Sequence, residues 1–185
     1  MTTPTVLLLP GWHNSGPDHW QSHWERRHGY LRVQQHDWET PLRGDWMIQL
    51  DTVVQQHPRV VLVAHSLGCI LVAAWAQHSQ HTDRVQAALL VAPGDVERAE
   101  MLHTLHSWRP IARQPLPFAA TLIASRNDPH CRWERAQELA RDWGATCIDA
   151  GALGHINADS QLGDWPQGHA WLHACIHSNE VTHGH

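Results

Sequence analysis

The stretch Val60–Trp75, VVLVAHSLGCILVAAW, decides the fold. Its first apolar run, rich in β-branched residues, breaks off at His65-Ser66, and a second begins at once. A buried strand turning directly into a buried helix accounts for both runs. Ser66 then sits at the turn, where it serves either as a helix N-cap or as a nucleophile on a strand-to-helix elbow. The string A-H-S-L-G at 64–68 has the form G-x-S-x-G with Ala64 in place of the first glycine. An elbow of this kind needs small residues two before and two after the serine, so that strand and helix can approach closely.

Outward from this stretch, short apolar runs at 5–10, 31–36, 59–64, 86–92, 119–125 and 145–150 alternate with helix-like segments at 17–28, 45–57, 66–79, 131–143 and 165–178. Such alternation predicts βαβ units and a largely parallel sheet covered by helices on both faces. The expected fold class is α/β, a three-layer α/β/α arrangement. Pro17 behind Gly16 is placed at the first position of the first helix. The chain of 185 residues, 42% of them hydrophobic, fits one domain over 1–178, with a polar tail at 179–185 expected to be disordered.

The formal charge of -5 and the scattered 13 Lys and Arg residues give no basic stripe for a phosphate backbone, so no nucleic-acid partner is expected. The N-terminus lacks a basic region, its apolar run is too short for a signal peptide, and no segment reaches membrane-spanning length. A cytoplasmic protein without a membrane partner is the expectation. Cys69, Cys131, Cys147 and Cys175 lie far apart without a C-x-x-C pair and read as free thiols.

In open α/β sheets the reactive groups gather at the carboxyl ends of the strands. Here those ends carry GWHNSG, HSLG, PGD, RNDPH and GALGHIN. A serine needs a base, and the base an orienting group. In α/β-hydrolases these follow in the order serine, acid, histidine. Asp95 and Asp128 both qualify as the acid; Asp128 follows the second strand past the elbow, the usual acid position, and is favoured. His155, beside Gly154 in the loop before the last helix, is the candidate base. His65 is read as packing or hydrogen bonding beneath the turn, and His130 as too near Asp128 in sequence to bridge to Ser66. His169, His173 and His177, and likewise His19 and His23, recur at helical spacing and are read as solvent-facing stripes rather than metal ligands. The backbone N–H groups of Trp12 and Leu67 are the candidate oxyanion donors.

The pieces PGWHNSGPDHWQSHWE (10–25), VLVAHSLGC (61–69), SRNDPHC (125–131) and GHIN (154–157) resemble the YdeN-type serine hydrolases, the small α/β-hydrolase family named after retinoblastoma-binding protein nine. The resemblance implies a Ser66, Asp128 and His155 triad, a minimal core without a lid domain, no metal and no cofactor. The expected reaction is cleavage of a small carboxylic ester or related acyl substrate through an acyl-enzyme, with esters, thioesters and amides all open as leaving-group classes. Met101, Leu102 and Trp108, in the short connection 93–118, are candidates for the pocket wall or for the core.

Two other classes compete. A non-catalytic interaction module on the same fold would need a protein partner, but the L-x-C-x-E pattern of pocket-protein ligands is absent, and the nearest string, LGCIL at 67–71, lacks its glutamate. A metal-handling role rests only on the 18 histidines.

Overall fold

The computed structural model describes residues 3–101 and 103–178; the polar tail at 179–185 and Leu102 lie outside them. In chain order the elements are β1 (Thr5–Leu9), α1 (Trp20–His28), β2 (Leu31–Arg32), α2 (Arg43–Gln55), β3 (Val60–His65), α3 (Leu67–His78), β4 (Val85–Val91), β5 (Ala119–Ala124), α4 (Trp133–Trp143), β6 (Thr146–Asp149) and α5 (Pro166–His177). The six strands form one sheet in the order β2-β1-β3-β4-β5-β6, and every pairing is parallel. Chain direction across the sheet reverses between β1 and β3, which opens a crevice beyond their carboxyl ends.

Alternate residues of each strand serve opposite faces, as the two-residue period requires. Leu7, Leu62, Ala88, Leu90 and Leu122 pack under α2, α3 and α4. Val6, Leu8, Val61, Val63, Leu89 and Ile123 pack under α1 and α5. Both faces of β3 are therefore dry, which explains why its sequence is apolar without alternation. The three-layer arrangement expected from the sequence is present. Among the described residues, the connection between β4 and β5 holds the short 3-10 turn His103–Trp108 and no lid domain.

Six tryptophans, Trp20, Trp24, Trp46, Trp75, Trp108 and Trp143, are among the fully buried side chains. A buried indole needs an acceptor for its N–H. Five of these donate to loop carbonyls, those of Ile156, Asp164, Asp37, Pro41 and Ala112, and Trp75 donates to the Asp51 carboxylate. The tryptophans thus tie connecting loops to the core, a use that the composition left without an assignment.

Two boundaries differ from expectation. The first helix begins at Trp20 rather than Pro17, because residues 16–19 close a turn through the His19 N–H to the Gly16 carbonyl. His19 is the N-cap, its Nδ1 accepting from the Gln21 N–H. The run at 31–36 contributes only Leu31 and Arg32 to the sheet, since pairing with β1 stops after two residues.

Candidate active site

The elbow is strained where the sequence requires it. Ser66 has φ 55° and ψ -118°, a conformation that L-residues rarely adopt and that persists only when its surroundings hold it. Its N–H donates to the Val91 carbonyl at 3.1 Å, and the Cys69 N–H donates to the Ser66 carbonyl at 3.0 Å. A Cβ at Gly68 would lie 2.4 Å from the Leu9 carbonyl oxygen, so the second small residue is dictated by contact between backbones. Ala64 is fully buried within β3, where a methyl group packs into the core. Ser66 occupies the N-cap position of α3 but makes no capping hydrogen bond through its side chain. Its Oγ faces elsewhere.

That oxygen lies 2.8 Å from His155 Nε2, and His155 Nδ1 lies 2.9 and 3.0 Å from the two carboxylate oxygens of Asp128. The loops after β3, β5 and β6 thus bring the three residues together from positions up to 89 apart in sequence. The Asp128 side chain is 3% exposed and that of His155 10%. Asp128 also accepts from the His130 N–H at 2.8 Å, which fixes the carboxylate. The His130 ring packs edge-on against that of His155, with centroids 4.5 Å apart. Burial, and then the neighbouring His155, lower the pKa of His130.

The rival acid is differently placed. Asp95 does not sit in solvent as a free loop carboxylate. Its side chain is 12% exposed and ion-paired with Arg135 at 3.3 Å, while Oδ1 accepts the Glu97 N–H. It belongs to a structural network with Arg135, Glu97 and Arg113.

Leu67 is the first residue of α3, so its N–H is among the helix-terminal donors that lack an intrahelical acceptor. Trp12 follows Gly11 in the β1–α1 loop, and a Cβ at Gly11 would lie 3.1 Å from the Leu67 nitrogen. The Trp12 indole donates to the Glu39 carbonyl, fixing the ring at the rim. A Cβ at Gly94 would stand 3.1 Å from Ser66 Oγ, so this glycine keeps the Ser66 hydroxyl accessible. The PGD string after the β4 run marked the place but not that role. A cavity of about 560 Å³ opens over Ser66, walled by Trp12, Leu67, Val96, Met101, Leu105 and His130. Of the candidate wall residues, Met101 lines it, whereas Trp108 is core.

The histidine stripes divide differently from expectation. His19 is 4% exposed and bonded to His65 at 3.3 Å, because the turn at 16–19 points it inward at the elbow. His23 pairs with Asp164. On α5, His173 and His177 are exposed, but His169 is half-buried and hydrogen-bonded to the Tyr30 hydroxyl. Among the described residues, no group of three or more His, Cys, Asp or Glu side chains is arranged to hold a metal ion, and no helix is long and apolar enough to cross a membrane.

Burial lowers the pKa of His19 from 6.5 to about 3, with further lowering from Arg32, His155 and His23. Burial, His19 and His155 likewise push His65 well below 6.5, with a smaller lowering from His130. Both rings are neutral in the fold and become protonable on unfolding. The unfolded chain therefore binds more protons than the folded one between the two pKa values. Stability is complete above about pH 6.5 and falls as the pH drops below it, His19 contributing up to about 1.4 kcal/mol per pH unit down to its folded value of about 3 and His65 a loss in the same direction. Urea midpoints measured from pH 7 to pH 5 should decline, and the His19→Asn protein should show a shallower slope.

The family model described as serine hydrolase matches residues 6–174. A protein described as a YdeN-like hydrolase from Pectobacterium atrosepticum is 32% identical, with a TM-score of 0.82 over 94% of this chain and 91% of that one. The ydeN gene product of Bacillus subtilis is 21% identical, with a TM-score of 0.74 over 94% of this chain and 99% of its own. A carboxylesterase of Bacillus subtilis, at 12% identity and a TM-score of 0.65, covers 95% of this chain with 84% of its own and shares the fold. No curated protein matches.

Proposed function

This chain belongs to the serine hydrolase family, and from that premise we propose that it cleaves a small carboxylic ester or related acyl substrate through Ser66, His155 and Asp128. The observation that carries the proposal is the unbroken chain of contacts from the Ser66 hydroxyl through His155 to the Asp128 carboxylate. With His155 Nδ1–H donating to Asp128, the Nε2 lone pair faces the serine O–H. His155 takes that proton as Ser66 Oγ attacks the acyl carbon. The N–H groups of Leu67 and Trp12 receive the developing oxyanion, aided by the positive end of α3. His155 then protonates the leaving group, and the same base activates water to release the acid from the acyl-enzyme.

The cavity contains both apolar and polar wall groups, and among the described residues no lid closes it, which suits a small acyl substrate. Labelling with a fluorophosphonate probe is expected at Ser66, together with turnover of p-nitrophenyl esters that falls as the acyl chain outgrows the pocket. Label on another residue, or inert esters throughout, would remove the proposal.

A further inference from the structure

The loop that carries His155 is itself under strain. His155 lies between Gly154 at φ 63° and Ile156 at φ 49°, the latter a buried β-branched residue in a conformation such residues avoid. A segment of this kind keeps its shape only if its neighbours over-determine it.

One side is held by the loop after β5. The Leu153 N–H donates to Ser125 Oγ at 2.9 Å and the Gly154 N–H to Asn127 Oδ1 at 2.8 Å. The other side is held by α1 and the end of β3. The Trp20 indole N–H donates to the Ile156 carbonyl at 2.8 Å, and His65 Nε2 lies 2.9 Å from the His155 carbonyl.

The tautomers of this second set follow from its ends. The Gln21 backbone N–H donates to His19 Nδ1 at 3.0 Å, so the His19 proton is on Nε2. It points at His65 Nδ1, 3.3 Å away, which must accept. The remaining proton of a neutral His65 is therefore on Nε2, donating to the His155 carbonyl. Burial keeps both rings neutral, the condition this ordering needs. Gln21 reinforces the arrangement, since its buried amide donates to the Leu9 carbonyl at the end of β1 and to the Val63 carbonyl within β3.

We infer that His19 and His65 are positioning residues: a one-directional hydrogen-bond relay from the N-terminus of α1 that clamps the main chain of the His155 loop and so aims His155 Nε2 at Ser66. Neither ring touches Ser66 in this scheme, and both act through the placement of the base. The inference rests on the reading of His155 as the base.

Three variants of the full chain separate this role from general stability. His19→Asn retains an N-cap acceptor for α1 but loses the donor to His65. His65→Leu removes the donor to the His155 carbonyl, and His65→Gln restores an amide N–H at the position of Nε2. For folded His19→Asn and His65→Leu, kcat on p-nitrophenyl acetate is expected to fall by about 10- to 100-fold at nearly unchanged KM, the scale of a misaimed catalytic group. His65→Gln should recover most of the loss. Wild-type kcat in folded His19→Asn, or equal losses in the Leu and Gln variants, would overturn the relay. A second readout is independent of turnover, namely the low-field proton resonance of the His155–Asp128 pair. Its broadening or loss in His19→Asn supports the relay, and an unchanged resonance rejects it. A wild type inert to esters and to the probe would instead sink the hydrolytic reading of Ser66 while this resonance still decided the clamp.

Discussion

Replacing Ser66 by alanine is expected to lower kcat for ester hydrolysis by roughly 10⁶-fold, the scale on which a serine protease triad responds to loss of its nucleophile. That corresponds to about 8 kcal/mol of transition-state stabilisation. The fold should survive, because the strained turn is held by main-chain bonds from the Ser66 N–H to Val91 and from the Cys69 N–H to the Ser66 carbonyl, and the variant deletes neither. The side-chain oxygen makes no cap bond to α3, so its removal leaves no helix-terminal donor newly unpaired. Steady-state kinetics with a thermal melt on the same sample test both halves. Activity retained by the Ser66→Ala protein would mean that another group attacks.

The second large effect belongs to the acid. Asp128→Asn keeps the size of the side chain but replaces one carboxylate oxygen by an amide that can donate to His155 Nδ1. The imidazole would then carry its proton on Nε2, facing the serine hydroxyl with the wrong group. A loss of roughly 10⁴-fold in kcat is expected, as in the serine proteases where this tautomer reversal was defined. Asp95→Asn is the informative partner. Because Asp95 is ion-paired with Arg135 and hydrogen-bonded to the Glu97 N–H, its replacement should lower the melting temperature and loosen the loop beside Gly94, with a far smaller change in kcat. Should the Asp95 variant be the crippled one while Asp128→Asn stayed near normal, the orienting carboxylate would lie after β4, and the contact of Asp128 with His155 would be structural.

Much of this was legible in the chain itself. The unalternating apolar run of β3, the small residues around Ser66 and the sequence of strand ends specify a parallel sheet, an elbow at 66 and an acid and a histidine further along at the same sheet edge. These features are local: period, residue size and the order of polar groups after each strand are carried by neighbouring residues. The resemblance in SRNDPHC and GHIN then added weight to Asp128 and His155, which the strand ends had already favoured.

What the tertiary structure decided is set by contacts between distant segments. Asp95 reads as a loop carboxylate until Arg135, forty residues on, is brought against it. Gly94 becomes necessary only because Ser66 Oγ comes to lie beside it. The spacing of His19 and His23 matches a wet helical face, yet the turn at 16–19 moves the start of α1 and swings His19 under the elbow. Helical periodicity describes which residues share a side once a helix has begun. It carries no information about a cap residue outside the helix, or about which ring from another strand that cap will meet. The sequence by itself determined the sheet, the elbow and the order of the candidate serine, acid and histidine, because each is written in adjacent residues. The aim of His155 and the clamp behind it were decided only where α1, β3 and the loop after β6 pack together.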